Sequence, residues 1–123
     1  STAALLEPAE LTGVCAETSA SPVSGGSPEM ERFAADYRAA FGTEPDAFAL
    51  GQYDGIRMVL DAAAKGADTP EAVRDALAKG TYRGLAMTYR SDGRGNMAHS
   101  AVIVCYDGSS RVPAVVKRYD GTP

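Results

Sequence analysis

The chain holds one histidine, two cysteines and no tryptophan in 123 residues, and each shortage removes a class of chemistry. His99 is the sole side chain that ordinarily titrates near neutrality. No nucleophile, base and orienting partner can be assembled around it, so no catalytic residue is assigned. Cys15, Cys105 and His99 are one ligand short of a structural zinc set, and no metal site is expected. The cysteines are ninety positions apart with no CxxC, which leaves buried thiols and a disulfide both open. Gly93-Arg94-Gly95-Asn96 lacks the strand-to-helix setting and the Lys-Ser/Thr pair of a phosphate loop, and no cofactor motif occurs. Twelve basic against sixteen acidic residues give a net charge of −4, well mixed along the chain. That balance offers no basic track for a phosphate backbone, which argues against nucleic acid as a partner. No apolar run reaches the 18 residues of a membrane-spanning helix, and Ser1 to Leu6 shows no basic n-region of a signal peptide before Glu7-Pro8.

What is present, 45% hydrophobic residues over a length suited to one core, predicts a globular α/β unit. A first helix opens at Ser27-Pro28-Glu29, with a hydroxyl N-cap, proline at the first helical position and an acid at the positive helix end. Met30, Phe33, Ala34, Tyr37, Ala40 and Phe41 recur at helical spacing, and Gly42 suits a left-handed C-terminal residue. Glu44-Pro45-Asp46 starts a second helix that runs to Lys65-Gly66 with Phe48, Ile56, Val59, Leu60 and Ala63 as its apolar face. Gly51 and Gly55 inside it are unfavourable by about 1 kcal/mol each against Ala. They signal a close approach, an irregular first turn or simple tolerance. Asp68 or Thr69 caps a third helix with Pro70 first, Glu71 in the opening turn, Val73, Ala76 and Leu77 facing the core, and Lys79-Gly80 at its end.

Beyond Gly80 the period turns to that of strands. Tyr82 to Arg90 reads as a short extended segment, and Ser91 to Asn96 as a turn. Ala101 to Tyr106 reads as a strand buried on both faces. Asp107-Gly108 marks a hairpin, with Val112 to Tyr119 returning and Pro113 placing that strand at an edge or at its own start. Leu11 to Ala16 is a further strand candidate, followed by a small, polar connector from Thr18 to Gly26. Ser109-Ser110 and Asp92 read as turn residues. Tyr53 and Asp54, adjacent on a helix, point apart and cannot act as a pair. Phe48 and Tyr53, near the start of the second helix, are candidates for the wall of a small polar-headed ligand's pocket, or for core.

The order and spacing of several pieces carry a resemblance. These are Phe33-Ala34-Ala35-Asp36-Tyr37-Arg38-Ala39-Ala40-Phe41-Gly42, Glu44-Pro45-Asp46-Ala47-Phe48-Ala49, Gln52-Tyr53-Asp54-Gly55, Glu71-Ala72-Val73-Arg74-Asp75-Ala76-Leu77 and Tyr82-Arg83-Gly84. From Phe33 to Tyr119 the chain resembles the C-terminal third of type I periplasmic solute-binding proteins, and most closely the branched-chain amino acid receptors of ABC transporters. It departs from them where Met87 and Ser91 replace a second glycine and an aromatic residue ahead of Asp92-Gly93, and where Gln52 replaces a glycine.

The resemblance implies a piece of a two-lobed α/β fold, three helices plus a short strand set, with the lobes joined by three hinge strands. Residues 1–17 would be the strand region of one lobe, 18–26 a hinge-type connector, 27–80 the helical part of the other lobe, and 81–123 strands returning across the hinge. It implies a non-catalytic, extracytoplasmic receptor that holds an amino acid or similar small carboxylate between its lobes and presents it to an ABC transporter permease. A sensor domain of the same fold, uncoupled from transport, is the alternative. Phe48 matches a pocket-lining aromatic position, with Gln52 and Tyr53 beside it. A piece of this size would leave helix faces such as Met30, Phe33, Tyr37 and Phe41 uncovered. The remainder of the receptor, or a second copy, is therefore expected to cover them.

Overall fold

The computed structural model describes residues 2–24 and 26–120. Ser1, Gly25 of the connector and the last three residues of the 81–123 segment lie outside them.

Two single-turn 3-10 helices, Thr2–Leu5 and Pro8–Leu11, precede strand β1 (Cys15–Thr18). Three α-helices follow: α1 (Pro28–Phe41), α2 (Ala47–Ala64) and α3 (Pro70–Lys79). Then come β2 (Thr81–Arg83), β3 (Thr88–Ser91), β4 (Met97–Ala98), β5 (Ala101–Cys105) and β6 (Ala114–Tyr119).

The helix boundaries follow their local chemistry. The Ser27 hydroxyl accepts from Met30 N at 3.3 Å, the Asp46 carboxylate from Ala49 N at 2.9 Å and the Thr69 hydroxyl from Ala72 N at 3.2 Å. Each cap satisfies an amide that the first helical turn leaves without a partner. Gly42 has φ 68°, and its N–H donates to Arg38 O at 2.8 Å to close α1. A side chain there would sit in the left-handed region, which is why glycine stops the helix.

The strands form two antiparallel three-stranded sheets, in the orders β1-β5-β6 and β2-β3-β4. The extended segment expected from Tyr82 to Arg90 is a hairpin instead, because Gly84 N–H donates to Met87 O at 2.8 Å and turns the chain between β2 and β3. In the other sheet Cys15 stands opposite Cys105 and the two are joined by a disulfide across 90 positions. β5 is buried at Val102 and Val104 but half-buried at Ala101, Ile103 and Cys105. It has one inward face, where the continuous apolar run had suggested two. Pro113 directly precedes β6, an edge strand whose register slips at Val116. Only His99 and Ser100 separate β4 in one sheet from β5 in the other.

The core cluster is Ala20, Met30 and Leu50, with Phe33, Leu85 and Ala86 packed on it. Met30 and Phe33 are thus covered within the chain, against expectation, and Tyr37 is half-buried. Phe41 remains 68% exposed. On α2 the inward row is Leu50, Asp54, Met58 and Ala62, all buried. The face expected to be core, Phe48, Ile56, Val59, Leu60 and Ala63, is exposed. Ala76 of α3 is exposed too, while Val73 and Leu77 are half-buried. The whole chain exposes 8124 Å². A self-sufficient monomer of 12.8 kDa would expose about 6,300 Å².

Candidate functional site

Asp54 is the buried charged residue of the described chain, at 1% exposure in the second turn of α2. A carboxylate in such a place is stable only when its oxygens accept hydrogen bonds. Leu85 N–H donates to Oδ1 at 2.7 Å, and Ala86 N–H to Oδ2 at 2.8 Å. The Tyr89 hydroxyl also donates to Oδ2, at 2.9 Å. The donors come from the β2–β3 turn and from β3, so Asp54 clamps the hairpin to α2. Gly84 belongs to the same cradle, since a Cβ there would overlap the Asp54 carboxylate and the Tyr89 ring. Burial, followed by the bond to Asp54 and its negative charge, pushes the Tyr89 phenol well above its ordinary range. The hydroxyl therefore stays a donor at all physiological pH.

This clamp explains why Gln52-Tyr53-Asp54-Gly55 and Tyr82-Arg83-Gly84 occur together in one sequence. The helix turn supplies the carboxylate, and the glycine lets the hairpin approach it. Sequence reasoning missed the partner. Asp54 does meet a phenol, but that of Tyr89, 35 positions away, because Tyr53 points elsewhere on the helix.

The expected ligand-lining residues fall into two groups. Phe48 and Gln52 are four apart on α2, hence neighbours on one row, and both are exposed, Phe48 by 82%. Tyr53 lies about 140° around the helix from Phe48 and packs its ring 5.1 Å from that of Phe33. It lines a separate groove of about 390 Å³ with Glu29, Arg32, Phe33, Asp36, Tyr37, Phe41 and Leu85. A second hollow of about 240 Å³ lies between α2, α3 and the second sheet, and includes Met58, Leu77, Tyr82, Tyr89 and Met97 in its wall. The Asp61–Lys65 ion pair, 2.7 Å long, is also part of that wall.

The remaining candidates serve local structure. Asn96 Nδ2 and the Arg94 and Asn96 amides donate to Asp92 and hold its carboxyl below the usual range. Ser109 does the same for Asp107 through its hydroxyl at 2.7 Å and its amide at 2.8 Å. His99 is exposed, with Nδ1 3.0 Å from the carbonyl of Ser100. Cys15 and Cys105 are consumed by their mutual bond and are not available as thiolate ligands.

A family model described as "Periplasmic binding protein" matches residues 1–110, and the chain belongs to that family. Its fold is shared with solved structures of type I receptors. A periplasmic binding protein from Burkholderia mallei superposes with TM-score 0.85 at 18% identity, over 96% of this chain and 33% of that one. A Rhodopseudomonas palustris ABC-transporter solute binding protein, in complex with 3,4-dihydroxybenzoic acid, gives 0.78 at 20% identity, over 92% and 32%. The branched-chain amino acid transporter substrate binding protein of Streptococcus pneumoniae, in complex with isoleucine, gives 0.74 at 24% identity, over 94% and 32%. This chain therefore spans about a third of the length of the structures it matches. No curated protein matches it.

Proposed function

We propose that the chain is the C-terminal third of an extracytoplasmic solute-binding receptor of an ABC transporter. The receptor holds a small carboxylate between two lobes and hands it to the permease. The observation that carries this reading is the family match over residues 1–110, supported by a clamp that joins two of the motifs on which the resemblance rests. Residues 1–17 belong to one lobe, 18–26 cross the hinge, and 27–80 build the other lobe. Within 81–123 the strands that return are β5 and β6. The Cys15–Cys105 disulfide supports an oxidising compartment, where such bonds persist. Nothing in the side-chain inventory calls for bond chemistry, which fits a binding role.

Two similar structures, in complex with isoleucine and with 3,4-dihydroxybenzoic acid, support this ligand class. Both molecules present a carboxylate and an apolar body. On this chain Phe48 and Gln52 form the wall toward the apolar body, with an exposed ring and an amide one turn apart. Tyr53 acts from behind, through its packing on Phe33.

Thermal-shift screening of the complete receptor against amino acids, amides and aromatic acids is the test. A stabilising carboxylate ligand is expected, and Phe48→Ala is expected to weaken it about tenfold or more while leaving the melting of the ligand-free receptor nearly unchanged. Unchanged affinity would remove Phe48 from the pocket.

A further inference from the structure

The β2-β3-β4 sheet turns one face toward α2 and α3. Tyr82 stands opposite Tyr89, and Met97 stands opposite Ser91, two residues further along β3. Alternation along β3 therefore puts both rings and the Met97 thioether on that face. The helices answer with Met58 and Ala62, one turn apart on α2 and both buried, and with Leu77 of α3, half-buried. Small residues, Ala62, Ala67, Ala76 and Gly80, occupy wall positions where larger side chains would close the gap. The result is the hollow of about 240 Å³, walled by residues between 58 and 97. It begins about 15 Å along α2 from Phe48, on another face of the helix. The solute wall proposed above has no part in it.

Volume and lining define what fits. An apolar cavity of about 150 Å³ already takes a benzene ring, so this hollow takes a ring with one small substituent. Its floor of Met58 and Ala62 offers water few partners, and a ring displaces such water favourably. Two thioethers and two phenol rings favour an aromatic body over a saturated one, through sulfur–ring and edge-to-face contacts. Asp61 and Lys65 mark the mouth, on the α2 row beside Met58 and Ala62. They pair at 2.7 Å through Oδ2, with side chains 42% and 73% exposed. No described residue donates to the other oxygen, Oδ1. A neutral hydroxyl would give that oxygen a charge-assisted hydrogen bond, whereas a carboxylate would meet it with like charge.

We propose that this hollow is a second binding site, for a neutral single-ring phenol. The ring lies among Tyr82, Tyr89, Met58 and Met97, and the hydroxyl donates to Asp61 Oδ1. A ligand there touches α2, α3 and the hairpin that Asp54 clamps, and ties the three together. The site is independent of the solute held between the lobes, since the described residues supply its whole wall.

Phenol itself is the probe, titrated into the complete receptor with isotope-labelled methionine methyl groups. The Met58 and Met97 signals, assigned through Met58→Leu and Met97→Leu, are expected to shift along one saturable curve. Met30, in the core cluster, and Met87, on the β2–β3 turn, should stay unmoved. Cyclohexanol should bind about threefold or more weakly than phenol. Ala76→Phe, at an exposed wall position, should fill the hollow and weaken phenol about tenfold or more. Asp61→Ala should weaken phenol about threefold or more and leave toluene unchanged. Neither variant should alter the affinity for a solute found in the thermal-shift screen. Shifts that never saturate, or that move Met30 and Met87 equally, would overturn the site. Cyclohexanol as tight as phenol, or an Asp61→Ala effect equally large on toluene, would overturn the ligand class and the proposal with it. Phenol that competes with the solute and is weakened by Phe48→Ala would belong to the cleft, and the second site would fall. Saturable phenol binding with no solute found leaves this inference standing and sinks only the solute reading.

Discussion

Replacing Asp54 by alanine removes three hydrogen bonds at once and leaves their donors behind. The Leu85 and Ala86 amides and the Tyr89 hydroxyl sit 2.7, 2.8 and 2.9 Å from the carboxylate oxygens. A hydrogen bond to a charged acceptor contributes about 1.5–3 kcal/mol net, and a buried donor left unpaired is unfavourable by about 1–3 kcal/mol. Tyr89 is half-buried, and its hydroxyl regains water in the variant. The two amides belong to a turn packed on the core cluster through Leu85 and Ala86. Against the loss stands relief from desolvating a carboxylate, which offsets part of it. The expected destabilisation is about 3–5 kcal/mol, the range for breaking a buried charged network. Asp54→Asn keeps the shape but turns an amide NH₂ toward one of the donors, so about 2 kcal/mol is expected. Urea unfolding of the complete receptor, followed by circular dichroism, measures both. Tyr89→Phe removes one donor only, and the cycle with Asp54→Asn should return a coupling of about 1 kcal/mol. An Asp54→Ala loss below about 1 kcal/mol, with zero coupling to Tyr89, would refute the clamp.

Gly84→Ala forces a methyl group into the Asp54 carboxylate and the Tyr89 ring, and should destabilise by about 1–3 kcal/mol in the same unfolding assay. The Tyr89 phenol is raised in the folded state, so its contribution to stability is complete below about pH 10, the unfolded value. It is lost as pH climbs through the raised folded value. The urea midpoint should therefore fall as pH rises above about 10, and Tyr89→Phe should flatten that fall. Reducing the disulfide, or the pair Cys15→Ser with Cys105→Ser, opens a loop of 90 positions and should lower stability by about 2–5 kcal/mol. Calorimetry with and without reductant checks this.

The caps, the helix lengths and the turns after Ser91 and after Asp107 were legible in the chain itself, because each depends on residues within four positions of one another, whereas the β2–β3 turn reads as extended chain. Ser27, Asp46 and Thr69 accept from amides three residues on, and Gly42 stops α1 by its own backbone. The resemblance, and with it the family, was legible for the same reason, as ordered local motifs. What the sequence left undecided was which way each face turns. On α2 the row Leu50, Asp54, Met58 and Ala62 is no more apolar than the row Phe48, Gln52, Ile56 and Leu60, about 160° around the helix. Periodicity favours the second, while the tertiary structure buries the first. The deciding partner is the β2–β3 hairpin, whose donors reach Asp54 from 31 to 35 positions away. The disulfide was undecided for the same reason, since only the β1–β5 register sets Cys15 opposite Cys105. Even the scarcity of histidine and cysteine changes in weight. The scarcity itself belonged to the sequence, but the choice between free thiols and a strand staple belonged to the sheet. Local chemistry acts over one helical turn. Burial is decided by whatever arrives from elsewhere in the chain, and no short-range pattern records that arrival.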